Sequence, residues 1–106
     1  MDPEFDELKR EFLAEAGAKI EEIRSMLTSS RTGESRERMI YLAHQLKGAG
    51  GSYGFQTIST ESASLEVILE RKSGEIDDSN VAEIDTIVCN LAAEVDLRVT
   101  ELREKV

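Results

Sequence analysis

The stretch "VAEIDTIVCNLAAEVDLRVTEL", Val81 to Leu102, decides the fold. Its apolar residues Val81, Ile84, Val88, Leu91, Val95, Val99 and Leu102 recur every three or four positions. That is the period of an amphipathic helix with one buried face, and its start is expected near Ser79. Upstream, "SGEIDDS" (73–79) reads as a loop. A third segment from Thr57 to Lys72 turns Ile58, Leu65, Ile68 and Leu69 inward, with Gly74 as its stop. The second segment runs from Ser35 through a group of glycines, placing Leu42, Leu46, Ala49 and Tyr53 on one helical face. "TSSRTGES" (28–35) breaks the pattern and offers Ser35 as an N-cap. The first segment carries Phe5, Leu8, Phe12, Ala16, Ile20, Ile23 and Leu27. Gly17 either divides off a short extra N-terminal helix or only loosens a continuous one. No strand-like alternation and no internal repeat competes. Short loops between amphipathic helices make neighbours antiparallel, so the expected fold is all-α, an up-down-up-down four-helix bundle.

Composition agrees. The 106 residues include no tryptophan and one proline, and they suffice for one domain with one core. Thirteen basic against twenty-two acidic side chains leave a net charge of −9. Such a chain repels nucleic acid and anionic lipid, so neither is expected as a partner, and a monomer is. Cys89 is the single cysteine, which excludes a disulfide framework and a cysteine-based zinc site. Between Val88 and Leu91 it reads as a small residue at the core edge rather than a reactive thiol. No run approaches the ~20 apolar residues of a membrane span, and no secretory leader is visible. A soluble, cytoplasmic protein is expected. The opening "MDPEF" resembles a vector-derived start, leaving residues 6–106 as the single domain.

The second segment holds a feature that core formation does not explain. His44, the only histidine, lies opposite Leu42, Leu46, Ala49 and Tyr53, and Lys47, Gly48 and Gly51 share its outward face. Ile40 points the same way, with Tyr41 beside it. A lone histidine is ordinarily a solvated surface residue. Here, however, glycines strip side chains from beside the ring, and a lysine one turn on can neutralise an anion held there. Glycines also permit tight helix packing, but that fits badly on a face opposite the apolar stripe. The residues therefore describe an exposed imidazole prepared to carry or meet an anionic group.

His44, Leu46, Lys47, Gly48, Ala49, Gly51, Gly54 and Phe55 resemble the signature of histidine-containing phosphotransfer (HPt) domains. The resemblance spans nearly the whole chain. It implies a phosphorelay intermediate in which Nε2 of His44 takes a phosphoryl group from one receiver-domain aspartate and passes it to another. It makes Lys47 the residue that steadies the phosphate. Family spacing puts the acceptor for Nδ1 at Glu66, where many members have glutamine, and that acceptor would orient the ring and stabilise the phosphohistidine. Glu70 falls where some members carry a second basic group. Receivers and a histidine kinase are the implied partners; Gly48 and Gly51 give clearance, with Ile40, Tyr41 and Phe55 as a docking rim. Phe55 also reads as a residue closing the bundle end. The receiver supplies Mg²⁺, so no metal or other cofactor of this chain's own is expected, and phosphoryl transfer needs little beyond positioning and charge stabilisation. The chain is thus expected to be a carrier, not an enzyme. The carboxylate at Glu66 resembles the substrate domain of chemotaxis-type kinases, which stands as the alternative. An interaction module with an inert histidine is the third reading.

Overall fold

A computed structural model describes residues 3–71 and 74–104. Four helices account for nearly all of them: α1 (Pro3–Ser29), α2 (Gly33–Ser52), α3 (Gln56–Glu70) and α4 (Asp78–Glu104). Each packs on its neighbours in the order α1–α2–α3–α4–α1, the arrangement of an up-down-up-down bundle. The molecule is 45 × 20 × 17 Å, its length set by the 27-residue α1 and α4. The expected end of the third segment, Lys72, lies outside the described residues; α3 itself ends at Glu70.

The core follows the apolar stripes. Ile84, Val88, Leu91, Val95 and Leu102 of α4 are buried against Leu13, Ala16, Ile20 and Ile23 of α1 and Ile58, Leu65 and Leu69 of α3. Burial of each such aliphatic side chain contributes about 1.5–3 kcal/mol. This packing carries α1 straight through Gly17, so no separate N-terminal helix forms. In α2 the buried stripe is shifted from the expected one. Met39, Ala43 and Gly50 join Leu42 and Leu46, while Ala49 and Tyr53 are half-buried. The helix sits between α1 and α3 and therefore buries a wider arc than one row.

The connections hold the other departures. Thr32, not Ser35, caps α2: its Oγ1 accepts from the Ser35 amide at 3.1 Å. Ser35 lies inside the helix, where its hydroxyl bonds with those of Ser30 (2.7 Å) and Thr32 (3.2 Å). Ile76, within the expected loop, is buried in the core. Arg36 is also buried, and its guanidinium donates to the carbonyls of Leu69, Gly74 (2.7 Å) and Glu75 (3.0 Å). This one side chain closes the last turn of α3 and fixes the loop into α4. Gly74, with φ +84°, makes the left-handed bend beyond the helix rather than terminating it directly. Cys89 is exposed, contrary to the core-edge reading, because it lies about 100° around α4 from buried Val88; its Sγ is 4.0 Å from Asp85 Oδ2. Phe55 does close the bundle end, half-buried and stacked on Phe12 at 5.9 Å. Tyr53 stacks between Phe12 (5.2 Å) and Phe5 (5.9 Å).

Candidate functional site

The outward face of α2 is a clean stripe. Glu37, Tyr41, His44, Gly48 and Gly51 are exposed at alternating steps of four and three residues. His44 stands mid-stripe with its side chain 66 % exposed. From the neighbouring α3, Glu66 reaches it with a side chain only 13 % exposed. One carboxylate oxygen of Glu66, Oε2, lies 3.0 Å from His44 Nδ1; the other, Oε1, accepts from Lys47 Nζ at 2.7 Å. Three residues separated by up to 22 positions thus form one network.

Its electrostatics fix a proton. The hydrogen bond from the Lys47 ammonium holds the Glu66 carboxyl below its usual range against the opposing cost of burial, and His44 adds a lesser lowering. An ionised carboxylate only accepts, so Nδ1 of His44 must carry the hydrogen. In the neutral ring Nε2 then keeps its lone pair, and the exposed edge of the imidazole presents it to solvent.

The glycines divide by task. A Cβ on Gly48 would meet nothing within 4 Å, so Gly48 leaves open surface beside the ring. At Gly51 a Cβ would make only ordinary contact with Ser59 Oγ, at 3.6 Å. Gly50 is buried, and a Cβ there would lie 3.2 Å from both Ile58 Cγ2 and the Ser59 amide nitrogen. Close helix packing is therefore the task of Gly50, on the side of α2 away from the outward Gly48. Gly50 brings α3 against α2, and Ser59 Oγ then donates to the Lys47 carbonyl at 2.9 Å. Gly54, at φ +81°, makes the reversal, while the Phe55 amide donates to Gly50 O at 2.8 Å. That close approach puts Glu66 within reach of His44.

One expected placement changes. Ile40 is half-buried against the core rather than part of the open face. Lys47, on the turn after His44, is paired with Glu66. Tyr41 is exposed as expected, 52 %. Glu70 is exposed one turn beyond Glu66. Gly50, Ser59 and the residues around Tyr41 were missed. Gly50 differs from Gly48 and Gly51 in one readable respect: it is four residues from Leu46, on the buried side of α2. Among the described residues, no group of three or more His, Cys, Asp or Glu side chains lies together as metal ligands would. No helix among them is long and apolar enough to cross a membrane.

Bundle and network together define a domain that presents one oriented imidazole on an open helical face. The sequence model of the Hpt domain family matches residues 7–105, and the chain belongs to that family. It is accordingly a histidine phosphotransfer module of two-component signalling, a phosphocarrier type of domain. No curated protein and no solved structure gives a match.

Proposed function

We propose that His44 carries the phosphoryl group on Nε2 between receiver-domain aspartates in a cytoplasmic phosphorelay, the domain acting as a monomer. The observation supporting this most strongly is the contact between His44 Nδ1 and the ionised Glu66. The Nε2 lone pair attacks phosphorus of the receiver's aspartyl phosphate, the P–Nε2 bond forms, and the P–O bond to the aspartate breaks. The aspartate leaves as a carboxylate. With phosphorus on Nε2 and hydrogen on Nδ1 the ring is a cation, and Glu66 stands against it as counter-ion. Reversal with a second receiver returns the phosphoryl group to an aspartate.

Lys47 then has two partners in succession. In the resting domain it neutralises Glu66 at 2.7 Å. On phosphorylation its flexible stem lets the ammonium turn to the phosphoryl oxygens, leaving the full Glu66 charge to the imidazolium. No metal of this chain enters the step; Mg²⁺ belongs to the receiver. Incubation with a phosphorylated receiver should label the protein with acid-labile, base-stable phosphate, and His44→Gln should abolish it. Undiminished labelling of that variant overturns the proposal. The carboxylate at Glu66 also supports a second reading, the substrate domain of a chemotaxis-type kinase. It requires labelling by an ATP-binding kinase domain in preference to a receiver.

A further inference from the structure

Tyr41 sits one turn before His44 on the same exposed face, and it is restrained from two sides. Its hydroxyl accepts from Gln45 Nε2 at 2.8 Å, one turn on. The Arg38 guanidinium carbon lies 5.5 Å from the ring centroid, one turn back. Arg38 is held in turn by a two-pronged ion pair with Glu22 of α1, Nε to Oε2 at 2.6 Å and Nη2 to Oε1 at 3.2 Å. The pair holds the Glu22 carboxyl below its usual range, chiefly through the hydrogen bond from Arg38. A run of contacts from α1 across α2 therefore steadies a large aromatic ring that the core does not need.

We propose that Tyr41 is a pre-set docking anchor for the receiver, steadied by Arg38 and Gln45 and, through Arg38, by Glu22; this rests on the phosphocarrier reading of His44. Residues three apart on a helix have Cβ atoms ~5–6 Å from one another. A receiver that brings its aspartyl phosphate to Nε2 must therefore cover Tyr41. On the other side of His44, Gly48 and Gly51 leave that surface low, so the aromatic ring is the feature of α2 that stands up beside the imidazole. Ordering of the ring before contact removes a cost that binding would otherwise bear. Tyr41 touches the partner, whereas Arg38, Gln45 and Glu22 are positioning residues.

The test uses the receiver domain of the source organism that binds this protein most tightly. Tyr41→Ala is expected to weaken equilibrium binding about tenfold or more, the usual result for a central aromatic anchor. The half-saturating receiver concentration for phosphotransfer should rise by more than the maximal rate falls. Tyr41→Phe, which keeps the ring, should recover most of the affinity. Glu22→Gln, which reaches Tyr41 only through Arg38, should weaken binding about two- to threefold, but it should have no further effect in the Tyr41→Ala background. Unchanged affinity of Tyr41→Ala, or an equal effect of Glu22→Gln with and without Tyr41, overturns the assignment. Phosphoramidate, a small donor that needs no docking, reads His44 separately. If it forms no phosphohistidine the carrier reading fails, and the binding cycle still decides Tyr41.

Discussion

At His44 the central quantity is where one proton sits. Glu66 accepts a hydrogen bond from Nδ1 and a second from Lys47, so both carboxylate oxygens are engaged and the proton stays on the ring. Glu66→Gln keeps an oxygen able to accept from Nδ1 but removes the charge facing the phosphorylated ring. In the proposed transfer this should lower the equilibrium yield of phosphohistidine about tenfold, the lower end for hydrogen bonds to charged groups, read as the labelled fraction against a fixed ratio of phosphorylated receiver. The same carboxylate gives a pH dependence with a definite sign. Its pKa is lowered from 4.5, so its contribution to stability is complete above 4.5 and is lost as pH falls through the lowered value. The melting-temperature difference between wild type and Glu66→Gln should therefore persist down to pH 4.5 and close only below it. A gap that closes already near neutrality contradicts the assignment. Of this network the sequence exposed His44 and Lys47 by helical spacing. Glu66 emerged only through family resemblance, since 22 residues of separation carry no local signal. That Lys47 rests on Glu66 depends on the distance between two helices, which neither helix encodes alone.

For the helices, the glycines of α2 make opposite demands. Gly48 faces open space, so Gly48→Ala should stabilise the bundle by up to ~1 kcal/mol through helix propensity. It also adds bulk beside the imidazole, so receiver-dependent transfer should slow while the melting temperature rises. Gly50→Ala should do the reverse to stability. The new methyl meets the Ser59 amide nitrogen at 3.2 Å, and a backbone atom yields less readily than a side-chain tip. Overpacking of about 1–3 kcal/mol should exceed the propensity gain, with α3 displaced and the His44–Glu66 contact weakened. Paired thermal melts of the two variants give the sign directly. The stripes of α1, α3 and α4 were legible because apolar residues recur at the helical period and little else competes. In α2 the stripe was misjudged because glycine carries no hydropathy signal: Gly50 is buried for what it lacks. Capping by Thr32 rather than Ser35 is a choice among adjacent residues of similar chemistry, decided by the backbone of Thr32 at φ −80° and ψ 170°.

Across the whole molecule, one polar and one apolar device tie down the connection from α3 to α4. Arg36 bonds three carbonyls around the end of α3 and the following loop, and Ile76, that loop's one apolar residue, is buried in the core. Arg36→Ala should cost at least about 2 kcal/mol in chemical denaturation, since buried carbonyls lose a charged donor. The four-helix architecture was readable from periodicity and loop length; the role of Arg36 was not, because an arginine at a helix start looks like any solvated charge until the fold closes over it. All of this structure supports one proposed event, the loading of Nε2 on a ring whose Nδ1 is already committed. The most direct measurement is the ring ¹⁵N spectrum of His44 before and after phosphorylation with phosphoramidate. Hydrogen on Nδ1 before reaction, and phosphorus bonded to Nε2 after it, is the expected result. Phosphorus on Nδ1, on another residue, or on none contradicts the assignment.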